Sequence, residues 1–139
     1  GKSVLLDVDL PEVEDMPSVT ASVPSRGLKL SVKQMSATAI QKLYMAHVHA
    51  VAFRIIGETF AALPKATTVV LSGYSQRPDK STGRIADDYL LSVRVDRGQW
   101  SDIDFGRLAD IEVVDALARF ELRRQMTKTG IFKAIEPFK

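Results

Sequence analysis

The sequence predicts an α+β domain: a mixed or antiparallel sheet packed on one long central helix, with a second, shorter helix. Three observations predict it. Residues 36–63 contain no proline and repeat apolar side chains at the 3.6-residue period of a helix. Segments on both sides of that stretch alternate apolar and polar residues with period 2, the pattern of half-buried strands. The 139 residues, 45% hydrophobic and 26% charged, suit one globular domain that closes its own core, so disordered and fibrous classes are excluded.

In chain order, Val4, Leu6, Val8 and Leu10 alternate with Leu5, Asp7 and Asp9 as a strand that Pro11 ends. Residues 18–23 and 28–33 predict a hairpin about Pro24-Ser25-Arg26-Gly27, with Leu28, Leu30 and Val32 on one side of its second strand. Ser36 is the expected N-cap of the long helix and Pro64 its stop. Ile40, Leu43, Tyr44, Val48, Val51, Ile55, Thr59 and Phe60 follow the helical period. Met45, Ala46, Ala50 and Phe53 make the opposite side apolar as well, so the helix is expected to be central or covered by a partner. Residues 68–74 and the alternation Tyr89, Leu91, Val93, Val95 form a second hairpin across a polar turn at residues 76–84. Asp110 is expected to cap the second helix, running to about Gln125 with Val113, Leu117 and Phe120 along one side. Thr129-Gly130 then turns the chain into a short final segment, residues 131–135. No repeat, low-complexity tract or linker divides residues 1–139, which are read as a single domain.

Several chemistries are excluded by composition. With no cysteine there are no disulfides, thiolate metal sites or cysteine nucleophiles. The apolar stretch 40–63 is broken by His47, His49, Arg54 and Glu58, so it is not expected to span a membrane. Nothing argues for secretion, and the cytoplasm is the compartment expected. The opening Gly1-Lys2-Ser3 lacks an initiator methionine, which suggests a fragment of a longer protein. Net charge is only +2, yet residues 7–15 are acidic and residues 119–139 mainly basic.

The candidate functional groups are few. His47 and His49 are the only histidines. Two positions apart on a helix they project about 200° apart, so they are not expected to share a metal, and no metal or cofactor is expected. Arg54 and Glu58, one turn apart, are expected to form an ion pair rather than a buried acid. A Mg²⁺-dependent nuclease needs converging carboxylates and an acidic-x-Lys triplet to hold metal and position water. No Asp-x-Lys or Glu-x-Lys occurs, so a noncanonical nuclease built on Glu58 with Asp87 or Asp88 is the alternative enzyme reading, and the balance leans away from an enzyme. No nucleophile elbow or phosphate loop is present. For binding, Arg119, Arg123, Arg124 and Lys128 would form a basic row on the second helix able to meet DNA phosphates. The helix dipole alone also favours arginines at such a helix end.

Residues Val69–Tyr74, then Asp79-Lys80-Ser81-Thr82-Gly83-Arg84, Leu90–Val95, Arg97 and Trp100 resemble a non-catalytic region of certain bacterial proteins. There it lies upstream of a catalytic domain similar to the Mrr-type restriction endonucleases. The likeness spans about residues 69–117, and its motifs are structural. It implies that nuclease chemistry belongs to a separate domain with an Asp…Gln-x-Lys pattern absent here, so no catalytic residue carries over. The function expected is therefore a non-enzymatic accessory or interaction domain of a larger bacterial protein. The parent protein is expected to be restriction- or defence-associated, and DNA and the other domains of the parent chain are the expected partners. An assembly reading, in which the exposed apolar side of the long helix makes a homodimer, stands beside it.

Overall fold

The structure is a computed structural model that describes residues 2–16, 19–22, 31–78 and 81–138, with residues 19–22 and 31–34 described by their backbone. It is an α+β fold. β1 (Lys2–Asp9) leads through a small separate hairpin, β2 (Val19–Ser22) and β3 (Ser31–Gln34), into α1 (Ala37–Ala62). The chain continues as β4 (Ala66–Pro78), β5 (Ile85–Asp96), one turn of helix α2 (Arg97–Trp100), α3 (Val113–Ala118), β6 (Glu121–Met126) and β7 (Phe132–Lys133). Strand order in the main sheet is β1-β4-β5-β6-β7. β1 and β4 run parallel with α1 as their crossover, and every later pairing is antiparallel. The hairpin expected at 18–33 pairs as β2 with β3, while its turn and its Leu28 and Leu30 lie outside the described residues.

α1 begins where the sequence places it, with the Ser36 hydroxyl accepting the Ala39 N–H at 3.1 Å. Its buried stripe is Tyr44, Val48, Ala52, Ile56 and Phe60, with His49 beside it. These residues, four apart, meet Val69 and Leu71 of β4 and Leu91, Val93 and Val95 of β5 in one core. Val4, Leu6 and Val8 close that core from β1. The stop at Pro64 is reinforced from a distance. The Arg97 guanidinium donates to the carbonyls of Leu63 (2.7 Å), Ala66 (2.7 Å) and Phe60 (3.1 Å) and lies 4.7 Å from the Phe60 ring centre. It thereby gives a donor to the Phe60 carbonyl, which Pro64 has no N–H to pair, and ties the helix end to the start of β4. Next to it Trp100 packs against Phe53, Phe60, Phe105 and Phe120 with ring centres 4.8–6.0 Å apart. Arg97 and Trp100 thus act in packing.

Two expectations about the second half are corrected. The second helix is capped by Glu112, not Asp110, and ends at Ala118 instead of about Gln125. Asp110 closes a 3-10 turn and pairs with Arg107 at 2.9 Å. Beyond Phe120 the chain becomes β6, because Leu122, Arg124 and Met126 alternate inward against Glu121, Arg123 and Gln125 and gain a ladder with β5. The alternation in β5 is also interrupted. Gly73 pairs with Leu91 and Tyr74 with Tyr89, so a bulge puts both Leu90 and Leu91 into the core and turns Tyr89 to the other face. Among the described residues no helix is long and apolar enough to cross a membrane.

The turn into β7 is held at Gly130, whose φ is +95° and whose missing Cβ would sit 2.7 Å from the Gln41 carbonyl oxygen. Gly130→Ala is expected to cost about 2–4 kcal/mol of stability. Gly98→Ala, where a Cβ meets nothing within 4 Å inside α2, should be neutral or stabilise by up to about 1 kcal/mol. Urea unfolding of both variants checks the pair, and equal effects would contradict the Gly130 contact.

Candidate functional site

The structure scatters the residues of the nuclease alternative. Glu58 lies exposed near the C-terminal end of α1 and pairs with Arg54 at 2.9 Å, the ion pair that the helical spacing predicts. Asp87 and Asp88 sit on β5 opposite Gln76 and Ser75. That end of the sheet is beside Tyr44, and helical rise puts Glu58 about 20 Å further along the axis. A shared Mg²⁺ would have to touch carboxylates at opposite ends of the domain. No group of three His, Asp or Glu able to hold a metal is found among the described residues.

The basic row is likewise divided. Arg119 is the exposed C-cap of α3, and Lys128 is exposed in the turn after β6. Arg123 and Arg124, neighbours on a strand, point to opposite faces of the sheet. Only the helical reading would have aligned Arg119 with Arg123.

Arg124 turns inward to the one histidine that is buried. His49 is fully covered, whereas His47 is exposed on the other side of the helix. The Nδ1 of His49 lies 2.7 Å from the Met45 carbonyl, and its Nε2 lies 2.7 Å from the Arg124 guanidinium. A carbonyl accepts and a guanidinium donates, so Nδ1 carries the proton and Nε2 accepts: the ring is neutral. Phe132 stacks on it at 5.9 Å. Burial, with the Arg124 charge adding to it, holds the His49 pKa below 6.5, and burial lowers that of Arg124. This pair ties α1 to β6; sequence reasoning assigned Arg124 to a solvent face and missed it.

A cleft of about 620 Å³ opens over the carboxyl ends of β1 and β4 and is lined by Glu12, Gln41, Tyr44, Gln76, Arg77 and Phe132, among others. Its polar atoms brace the loop after β1. The Tyr44 hydroxyl donates to the Pro11 carbonyl at 2.7 Å, and the Glu12 carboxylate accepts the Gln76 N–H at 3.1 Å. Burial raises the Tyr44 pKa.

The most exposed apolar and aromatic surface of the sheet is its outer face, away from α1. Registration places Leu5, Asp7 and Asp9 of β1 beside Val70, Ser72 and Tyr74 of β4. Ser72 and Tyr74 in turn stand beside Ser92 and Tyr89 of β5. Leu5 is 61% exposed. The Tyr74 and Tyr89 rings meet edge to face at 5.7 Å, and the Tyr89 hydroxyl donates to Asp7 at 3.2 Å. Local desolvation first, then the carboxylates of Asp7, Asp9 and Asp87, push the Tyr74 hydroxyl above its usual range; Tyr89 is raised by desolvation and by Asp7 and Asp87. Toward β6 the same face is covered and of mixed charge: Ser72 and Ser92 share a hydrogen bond at 2.8 Å, Arg94 pairs with Glu121 at 3.1 Å, and Phe138 lies between Arg94 and Arg123.

The exposed side of α1, which the alternative assembly reading makes a homodimer contact, carries Leu43, Ala46, His47 and Ala50. No known protein family, curated protein or solved structure matches the chain.

His49 sets the expected pH response. Its folded pKa lies below the unfolded value of 6.5, so the unfolded chain binds the extra proton. Stability from this group is complete above about pH 7.5 and falls as pH drops through 6.5, with a slope of at most ~1.4 kcal/mol per pH unit. Urea midpoints between about pH 5.5 and 8 should show this slope, and His49→Phe should flatten it. A slope that persists in the variant would assign it to other groups.

Proposed function

We propose that this chain is a non-enzymatic accessory or interaction domain of a larger bacterial protein, restriction- or defence-associated, and that it meets its partner through the outer sheet face. The observation that carries this reading is the Tyr74–Tyr89 pair with Asp7, Asp9 and Asp87 around it, and the exposed Leu5 further along β1 on the same face, beyond Asp7. Two paired tyrosines among carboxylates, with an exposed aliphatic side chain on the same face, have the composition of a protein contact surface, in which aromatics anchor and charges select. The carboxylates call for a partner surface that combines apolar and basic groups, such as a neighbouring domain of the parent chain. They also repel phosphate, so duplex DNA is excluded from this surface. Any nucleic-acid contact in this reading runs through Arg119 and Lys128, which are exposed on the other elements.

Titrating the parent protein's neighbouring domains into isotope-labelled chain is expected to shift the amides around Leu5, Tyr74 and Tyr89. Leu5→Asp should weaken that binding at least about tenfold, or ~1.4 kcal/mol, without loss of helical circular dichroism. Shifts confined to the outer side of α1 would favour the assembly reading instead. Gel retardation of duplex DNA tests the nucleic-acid part. Affinity should fall steeply with salt and fall further when Arg119 and Lys128 are both changed to Ala. Affinity indifferent to both changes would remove DNA from the reading.

A further inference from the structure

The covered end of the outer face is built as a seat for an extended segment. The Phe138 ring lies with the guanidinium carbons of Arg123 and Arg94 at 4.1 and 4.8 Å from its centre. The Phe138 N–H donates to the Ser92 hydroxyl at 3.0 Å, and the Ile135 N–H donates to the Tyr89 carbonyl at 2.8 Å. Arg123 donates to the carbonyls of Glu136 and Pro137 at 3.3 and 3.4 Å. All these contacts use main-chain groups of the segment except one, the aromatic ring. The seat therefore recognises an extended backbone with an aromatic side chain three residues after its first anchoring N–H. Two arginines, of which Arg94 also pairs with Glu121 at 3.1 Å, add preference for ring faces.

The occupant is held at its two ends, by the Ile135 and Phe138 N–H bonds and the Phe138 ring, and loosely between them. Residues 134–138 form no ladder, the Arg123 contacts are long and exposed, and Phe138 alone among the five is buried. Segments with so few buried apolar contacts open locally well before the domain unfolds. We propose that this seat is a binding groove for an extended peptide bearing an aromatic residue, with the chain's own residues 134–138 as its displaceable occupant in cis. The inference rests on reading the chain as an interaction domain and adds the chemistry of one partner class.

The test uses the full chain carrying Phe138→Ala and a fluorescent peptide, Ala-Ile-Glu-Pro-Phe, followed by anisotropy. The variant should bind the peptide at least about tenfold more tightly than the unmodified chain, whose own segment competes. Binding should disappear when the peptide's Phe is replaced by Ala or when Arg123→Glu is added to the variant. No binding at about 1 mM peptide, or binding indifferent to the aromatic ring, overturns the proposal. If Phe138→Ala fails to fold, hydrogen exchange of the unmodified chain decides. The Ile135 and Phe138 amides should exchange at least about tenfold faster than those of Val69 and Val93, and exchange in step with that core overturns the proposal. A failure here leaves the Leu5 and tyrosine surface standing, because the domain titration reads that surface separately.

Discussion

The contact that organises this domain is the stripe of five residues, spaced four apart, that α1 lays against the central strands β4 and β5. Tyr44, Val48, Ala52, Ile56 and Phe60 are all nearly inaccessible, as are Val69, Leu71, Leu91, Val93 and Val95 beneath them. A fixed spacing of four drifts slowly around a 3.6-residue helix, which suits a helix lying obliquely across twisted strands. Both ends of the stripe are pinned by polar groups. Tyr44 bonds to Pro11 at one end, and Arg97 gathers three carbonyls at the other. The remaining elements take positions relative to that rod: β1 closes the core on one side, and α3 with β6 closes it on the other.

Most of this architecture is legible in the residues because single segments carry it. Ser36 and Pro64 bracket α1, and the alternation Val4, Leu6, Val8 fixes which face of β1 is inward. The exact stripe was not legible, since Leu43 and Ile55 satisfy the same periodicity as Ala52 and Ile56. A helix apolar on nearly every side contains several equivalent stripes, and the sheet chooses among them. The stretch from Asp110 to Gln125 misleads for a related reason. Its first half has helical spacing, and its second half, Glu-Leu-Arg-Arg-Gln-Met, is too short and polar to declare itself a strand. Only the free edge of β5 makes it one, and that edge is a tertiary fact. The candidate site follows the same division. Arg54 with Glu58 and the separation of His47 from His49 are local and readable, whereas His49 with Arg124 joins residues far apart in sequence. The bulge that turns Tyr89 outward is equally invisible in the alternation Tyr89, Leu91, Val93, Val95, and without it the tyrosine pair would not form.

The two arginines on β6 show how strand geometry assigns roles that composition cannot. On a helix, Arg123 and Arg124 would both have faced solvent near a cationic ridge. On a strand, one passes through the sheet to a neutral imidazole and the other lies on Phe138. Neither is then free to act as a phosphate ligand without giving up a contact within the fold. Basic charge counted from the sequence therefore overstates the charge this part of the chain can offer to a polyanion. The acidic residues behave differently: Asp9 and Asp87 remain on the surface, and after local desolvation both raise the Tyr74 hydroxyl pKa by proximity, while Asp7 and Asp87 raise that of Tyr89.

The outer face consequently has two chemical halves. Around Asp7, Asp9, Tyr74 and Tyr89 it is acidic and aromatic, and at β5 and β6 it carries Arg94, paired with Glu121, and Arg123, with an aromatic ring already seated. A sheet with one face packed on a helix must do something with its other face, because continuous apolar side chains there would aggregate. Here the solution is polar in the middle, where Ser72 and Ser92 satisfy each other and need only a short segment above them. A second helical layer would need a broad apolar floor, and Ser72, Ser92, Arg94 and Arg123 do not supply one. What that floor does match is a narrow extended chain, whose main-chain groups meet the hydroxyl and guanidinium groups while one ring fills the gap between them.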